Sequence, residues 1–407
     1  MKLDYQALLS RYGCPLYLYD EESISGQIKL LKEALPGFQP LYSVKTNPHP
    51  AICRLMAENG FGADAASGYE VERARAAGLD RDMIVYSAPG KTAEQLNSVL
   101  GDCLVVADSY SELQLLNELA EARGIHLPVG LRINPSLSFG PGFYPELRDG
   151  VSAKIGVDEE SLEENQAFFK SLKNISLVGI HVFLRSQILS PSAIAASFEK
   201  IFKIAEYCRR VLAWDLSFIN FGGGLGISPD PAAPGLNLND LSGFVNSLLK
   251  KYDFKQTRLF IESGRFLVAE AGCFVTRIVD VKISRGQTFV IAPGGLSGFL
   301  RPALMNLLKK TGYEGGPLEP LFSGPHSHLI SLPDKTGRKV KVTVAGNLCT
   351  ALDVMAENVD LPEPAVGDIL TVSNAGAYAA SLSPFTFASF PRPPELFLGR
   401  DGCLELA

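Results

Sequence analysis

No uninterrupted apolar run in this chain of 407 residues is long enough to span a bilayer, and the opening MKLDYQALLSRYGC has no continuous apolar stretch behind its single lysine. A spanning helix needs about 20 apolar residues and a secretory leader needs an apolar core of its own. The expectation is therefore a cytoplasmic protein without a membrane partner. A basic surplus is also lacking, since 38 Lys and Arg stand against 44 Asp and Glu for a net charge of −6. That balance argues against general binding to nucleic acid or anionic lipid. The seven cysteines (Cys14, Cys53, Cys103, Cys208, Cys273, Cys349 and Cys403) are odd in number, scattered, and never paired at metal-ligand spacing. A disulfide framework and a metal site are both unexpected on that pattern. Repeats, low-complexity tracts and flexible linkers are missing too. What remains, 46% hydrophobic and 20% charged residues, is ordinary for a globular protein with one large core and a smaller domain. A small-molecule or protein-borne substrate suits it.

Short apolar runs recur at Leu41–Val44, Phe61–Ala65, Ile84–Tyr86, Leu104–Ala107, Val129–Ile133, Val178–Leu184, Phe218–Phe221 and Leu259–Ile261. Between them, Tyr69–Ala77, Thr92–Leu100, Ser111–Arg123, Ala193–Val211 and Leu241–Tyr252 carry apolar residues at helical spacing. Eight such alternations predict a (β/α)8 barrel, in which chemistry gathers at the C-terminal ends of the strands. After Arg265 the pattern turns β-rich, with Cys273–Ile283, Thr288–Ala292, Lys339–Ala345 and Ile369–Val372 separated by Gly and Pro turns. A second, all-β domain without long helices is expected there. Leu16–Tyr19 reads as a strand that either domain can take.

Lys45 ends the first predicted barrel strand, in Tyr42-Ser43-Val44-Lys45-Thr46-Asn47-Pro48. A desolvated amine in that position can attack an aldehyde, which is how a protein lysine holds pyridoxal phosphate as a Schiff base; a surface lysine at a strand end is the plainer reading. Phe221-Gly222-Gly223-Gly224-Leu225-Gly226 follows the seventh strand, where barrels commonly bind phosphate, and successive glycines let backbone N–H groups approach an anion. The eighth strand ends Ile261-Glu262-Ser263-Gly264-Arg265, a carboxylate and a guanidinium three residues apart. They suit a pyridinium N–H and a phosphate, and they suit equally a salt bridge at the barrel rim.

With these residues in place the sequence resembles the fold-type III pyridoxal-phosphate decarboxylases, the ornithine, diaminopimelate and arginine decarboxylase family related to alanine racemase. The resemblance runs from PLYLYD at 15–20 to SPFTF at 383–387. Between them stand YSVKTNP, GFGADAASGYEVERARAAG, RINP, AKIGV, GIHVFLRSQ, INFGGGLGI, IESGR, AGNLCTALD and NAGAYAASLSP, in the family's order. It implies an alanine racemase-like TIM barrel over residues 25–265, a β-domain from 1–24 and 266–407, and a homodimer whose active sites are shared between subunits. It also implies that Lys45 binds pyridoxal 5'-phosphate and that Gly223, Gly224, Gly264, Arg265, Ser186 and Tyr378 surround the phosphate. Glu262 would pair with the pyridine nitrogen, Asp64 and Arg132 would support the cofactor, and Phe183 would cover its ring in place of the usual histidine. Cys349 would come from the partner subunit as proton donor, a task that suits a thiol. Arg301 and Phe387 would contact substrate.

Departures from the family bear on the substrate. In the ornithine and diaminopimelate branches an acid follows the cysteine and binds the distal ammonium, whereas here Cys349-Thr350-Ala351-Leu352-Asp353 places Thr350 there, with Asp353 nearby as the other candidate contact. An ammonium without a buried carboxylate partner binds poorly. Arg301-Pro302-Ala303-Leu304-Met305 lacks the tyrosine of the diaminopimelate branch, and Arg185 replaces a usual glycine, either gripping phosphate or carboxylate or pointing outward. The Cys-Thr pattern is similar to that of the butirosin-pathway decarboxylases, whose glutamyl substrate is tethered to an acyl-carrier protein. A substrate with a capped distal end is therefore expected, the alternatives being a free diaminopimelate, lysine, ornithine or arginine, and, further off, racemisation or non-catalytic cofactor binding. Lys335-Thr336-Gly337-Arg338-Lys339-Val340-Lys341, and more weakly Lys309-Lys310, offer a basic strip for a carrier protein or simply a solvated hairpin.

Overall fold

The computed structural model describes residues 3–136, 154–228, 233–312 and 328–407. Ala153, the first residue of the AKIGV motif, lies outside them. The described strands are β1 (Leu16–Asp20), β2 (Gln39–Ser43), β3 (Gly62–Ala65), β4 (Ile84–Tyr86), β5 (Leu104–Ala107), β6 (Leu127–Asn134), β7 (Val157–Asp158), β8 (Ile175–His181), β9 (Phe218–Asn220) and β10 (Arg258–Ser263). They continue with β11 (Gly272–Arg277), β12 (Asp280–Ser284), β13 (Gln287–Ile291), β14 (Ile330–Ser331), β15 (Lys339–Ala345), β16 (Val354–Pro362), β17 (Ile369–Val372), β18 (Glu395–Leu398) and β19 (Leu404–Leu406).

The chain divides into two units. One comprises Ile28–Gly226 and Gly235–Gly264, and the other Met1–Gln27, Ile227–Pro234 and Arg265–Ala407. In the first, parallel strands β2, β3, β4, β5, β6, β8, β9 and β10 pair in that order, and β10 pairs back onto β2 (Phe260↔Gln39) to close the barrel. These are the eight runs read from the sequence. They form strands because they are short, apolar and buried on both faces, as IVY in β4 and LVVA in β5 are throughout. Leu41, Val85, Leu104, Val106, Phe218 and Phe260, from β2, β4, β5, β9 and β10, touch in one cluster that fills the barrel interior. Gly130 and Gly179 make room for the Phe218 ring, since a Cβ on either would lie 2.7 or 2.3 Å from it. Helices start soon after strands on hydroxyl caps: Ser67, Ser109 and Ser190 accept from the backbone, and Thr92 forms a capping box with Gln95. Glu21–Ala34 and Pro50–Glu58 are helices the sequence reading did not separate out.

The second unit is mostly sheet. A six-stranded sheet runs β14-β17-β11-β1-β18-β19, and a four-stranded one runs β12-β13-β15-β16. Leu16–Tyr19 belongs here, antiparallel to β11 and parallel to β18. The single run Cys273–Ile283 is two strands in different sheets. The chain changes partner at its middle, where Ile278 N–H donates to Asp368 and Val279 N–H to Ile291. The domain is also not free of helix, because Tyr5–Tyr12 and the eleven-residue Leu300–Lys310 are helical. Leu8 and Leu9 of the former pack with Leu16, Leu18, Val275, Ile369 and Leu396. Among the described residues no helix is long and apolar enough to cross a membrane.

Candidate active site

Polar side chains collect at the C-terminal ends of the barrel strands. Just past β2, Lys45 lies in the short turn Val44–Thr46 with its side chain 44% exposed, and its Nζ is 2.6 Å from Asp64 Oδ2 on β3. Asp64 is fully buried, and its Oδ1 accepts from Ser87 Oγ at 3.1 Å beyond β4. Burial alone would raise this carboxyl. The Lys45 ammonium outweighs that by charge and hydrogen bond, with a hydrogen bond from Ser43 adding to it, and holds Asp64 below its usual value. Arg132 of β6 donates to the Ser87 carbonyl at 3.2 Å and stands 6.0 Å from the centre of the Phe183 ring.

Glu262, on β10, is the other buried carboxylate. Burial, and then the charge of Asp64, push it up to about 7 against the pull of Lys45, Arg132 and a hydrogen bond from Asn220. Asn220 Nδ2 donates to Glu262 Oε1 at 2.8 Å while Asn220 Oδ1 accepts from Gly222 N–H at 2.9 Å, so one side chain ties the carboxylate to the glycine turn. His181 Nε2 lies 3.3 Å from the same Oε1.

The glycine turn packs against the segment after β8. Ile188 N–H donates to Gly224 and Gly226 N–H to Ile188. A Cβ at Gly222 would come within 2.8 Å of the Val182 carbonyl, and one at Gly224, whose φ is +128°, within 2.4 Å of the Arg185 carbonyl. These glycines thus serve close backbone packing as well as anion approach. Among the described residues the N–H groups of Gly223 and Gly224 meet no protein acceptor. Ser186 is half-buried on the facing segment, and Phe183 is 37% exposed. Gly264 lies so near the Lys45 turn that a Cβ on it would fall 2.0 Å from Thr46 Oγ1. An amine, a buried carboxylate, an aromatic face and two unclaimed backbone donors are the set that pyridoxal phosphate requires, and the barrel residues fit it.

The remaining candidates lie in the second unit. Arg265 is buried, and its guanidinium stands 5.0 Å from the centre of the Tyr378 ring. Arg301, also buried, donates to the carbonyl of Ala377, the residue before Tyr378, at 3.1 Å. Exposed Cys349 and half-buried Thr350 share the turn between β15 and β16, and Phe387, 51% exposed, occupies a different turn. Asp353 is 2% exposed; its Oδ1 accepts from Leu296 N–H at 2.5 Å and its Oδ2 from Leu348 N–H at 2.8 Å.

Sequence reading did not single out Ser87, His181 or Asn220. The signal was there for the last two, polar residues closing otherwise apolar strands inside GIHVF and INFGGG. A separate buried pair was also passed over: Lys91 Nζ, 2.5 Å from Glu112 Oε1, donates to the carbonyl of Val106 at 2.9 Å.

Residues 21–269 match the family model described as the pyridoxal-dependent decarboxylase, pyridoxal binding domain. The chain is similar to the L-glutamyl-(BtrI acyl-carrier protein) decarboxylase of Niallia circulans, at 32% identity over 408 residues, covering 98% of this chain and 92% of that protein. It is also similar to the diaminopimelate decarboxylase of Aquifex aeolicus, at 28% identity over 402 residues, covering 98% and 90%. Among solved structures, diaminopimelate decarboxylase from Helicobacter pylori complexed with L-lysine superimposes with a TM-score of 0.82 at 27% identity, covering 99% of this chain and 95% of that one.

Proposed function

The chain belongs to the pyridoxal-dependent decarboxylases, enzymes that remove the α-carboxylate of amino acids with pyridoxal 5'-phosphate, and on that premise we propose that its substrate is an α-amino acid whose distal end is capped. A glutamyl thioester on an acyl-carrier protein, or an amide conjugate, meets that description. The observation that carries the reading is the Cys349 turn. Thr350 stands where a distal ammonium would need an acid, and Asp353, the one nearby carboxylate in the turn, has both oxygens taken by backbone N–H groups. An ammonium brought there would lack an anionic partner, a loss of several kcal/mol. The similarity to the glutamyl carrier-protein decarboxylase points the same way. The basic strip adds little, because Lys335, Lys341 and Lys310 are matched by Asp368, Asp360 and Glu357 at 2.5, 3.3 and 2.6 Å.

In this reading the cofactor, when bound, supplies the electron sink for the pair released as the Cα–carboxylate bond breaks. Lys45 Nζ is the amine that binds it, oriented by Asp64 Oδ2, whose other oxygen Ser87 fixes. Glu262 would pair with the pyridine nitrogen. The N–H groups of Gly223 and Gly224 would hold the phosphate, with Ser186, Gly264, Arg265 and Tyr378 as the other candidates for it, and Arg132 would support the ring that Phe183 would cover. Cys349 gives a proton to Cα from the partner subunit of a homodimer, with Arg301 and Phe387 near the substrate.

The test is CO2 release by the cofactor-loaded protein from free L- and D-amino acids beside glutamyl groups tethered to carrier protein or capped as small amides. Release from the tethered or capped members alone is expected. Rapid release from free lysine, ornithine, arginine or diaminopimelate would overturn the capped-substrate reading.

A further inference from the structure

Register on the barrel sets three polar residues in a row, with Glu262 one same-face step beyond its end. Arg132 pairs with His181 across β6 and β8, His181 pairs with Asn220 across β8 and β9, and Asn220 pairs with Phe260, two residues before Glu262. Gly179 faces the Phe218 ring in the barrel interior, so His181, two residues on, faces inward one step nearer the mouth. It is 1% exposed, and neither ring nitrogen has an aligned hydrogen-bond partner among the described residues. An imidazole buried in that way is costly unless a neighbour relieves it. Glu262 Oε1 is 3.3 Å from His181 Nε2. Asn220 already donates to that oxygen, while Oε2 takes no hydrogen bond among the described residues.

We propose that His181 is a positioning residue for the cofactor, presenting Nε2–H to Glu262 Oε1 so that, together with Asn220, it fixes this oxygen and leaves Oε2 for the pyridine nitrogen. The proposal rests on the reading of Glu262 as the pyridine partner. Burial, with Arg132 and Lys45 nearby, pushes His181 well below its ordinary value despite Asp64, so the ring is neutral and has one N–H to give. A neutral donor suits a site where two cations already face two carboxylates. It steadies Glu262 without competing for its charge.

The experiment compares binding of pyridoxal phosphate with that of its analogue carrying carbon in place of the pyridine nitrogen, in wild type, His181→Phe and Glu262→Gln, each stripped of cofactor and titrated by fluorescence and absorbance. Wild type should prefer the natural cofactor by about tenfold or more, the worth of a charge-assisted hydrogen bond. His181→Phe should reduce that preference to about threefold or less while binding the analogue as wild type does. Equal weakening of both ligands, or an unchanged preference, overturns the proposal. Glu262→Gln separates the two readings. If it keeps the wild-type preference, the assignment of Glu262 fails; if it loses the preference and His181→Phe keeps it, only the role of His181 fails. Should His181→Phe not fold, 15N spectra of histidine in the loaded wild type decide, with Nε2 expected to be protonated and to shift in Glu262→Gln. A bare Nε2 overturns the proposal.

Discussion

Glu262 carries a charge that its neighbours make difficult to bear. Burial and Asp64 raise it from 4.5 to about 7, so between those values the folded, cofactor-free protein holds a proton that the unfolded chain has released. The stability contributed by this group is complete below 4.5 and is lost as pH rises through 7. Urea unfolding of the cofactor-free protein at about pH 5 and about pH 8 should therefore show wild type losing on the order of 3 kcal/mol more than Glu262→Gln. Parallel losses would mean that Glu262 titrates as an ordinary carboxyl. Thr350 gives a second residue-scale expectation. Thr350→Asp should move turnover toward free diamino acids, read as a rise of about tenfold or more in kcat/KM for ornithine or lysine, and no shift would place distal-group selection elsewhere. The two residues differ in how legible they were. Glu262 stands in a motif, at a strand end, as a charge among apolar residues. That Asp353 is closed into its own turn depends on Leu296 and Leu348, and sequence order does not reveal those contacts.

Among elements, the glycine turn after β9 is held by shape. Gly224 has φ +128° and lies 2.4 Å, at its absent Cβ, from the Arg185 carbonyl, whereas exposed Gly243 in the helix Leu238–Lys251 has nothing within 4 Å. Gly224→Ala should lower stability by about 2 kcal/mol or more and weaken cofactor binding, while Gly243→Ala should raise stability by up to about 1 kcal/mol. Denaturant midpoints with a cofactor titration would measure both, and a harmless Gly224→Ala would remove the packing account. The barrel strands read as continuous apolar runs, but β16, Val-Met-Ala-Glu-Asn-Val-Asp-Leu-Pro, sits at the edge of its sheet, buries only Met355 and Leu361, exposes Asn358 and Asp360, and escaped notice. The helix Leu300–Lys310 escaped for another reason: Arg301-Pro302 at its start resembles a turn, although proline is tolerated in a first helical turn.

On the scale of the whole molecule, the candidate residues divide between the two units, with Lys45 in one and Cys349 in the other. If each active site draws Cys349 from a partner subunit, Lys45→Ala and Cys349→Ala proteins, each nearly inactive alone, should regain about a quarter of wild-type CO2 release when mixed, exchanged and assayed, the share expected from random pairing. No recovery would argue against shared sites. The barrel's alternation and its polar strand ends were readable from the chain because both are local patterns. The grouping of residues 1–27 with 265–407 was not legible as a local pattern and was expected only from the family resemblance, since it depends on β1 pairing with β11 and β18, strands more than 250 residues away. The filled barrel interior has a bearing on traffic. With Phe218 and Phe260 filling the ring beneath the polar strand ends, the barrel axis is closed among the described residues. Under the proposed activity, substrate, carbon dioxide and amine would all have to pass the strand-end mouth. On the capped-substrate proposal, only the amino-acid head would need to reach that mouth, and whatever is joined to its far end would stay outside it.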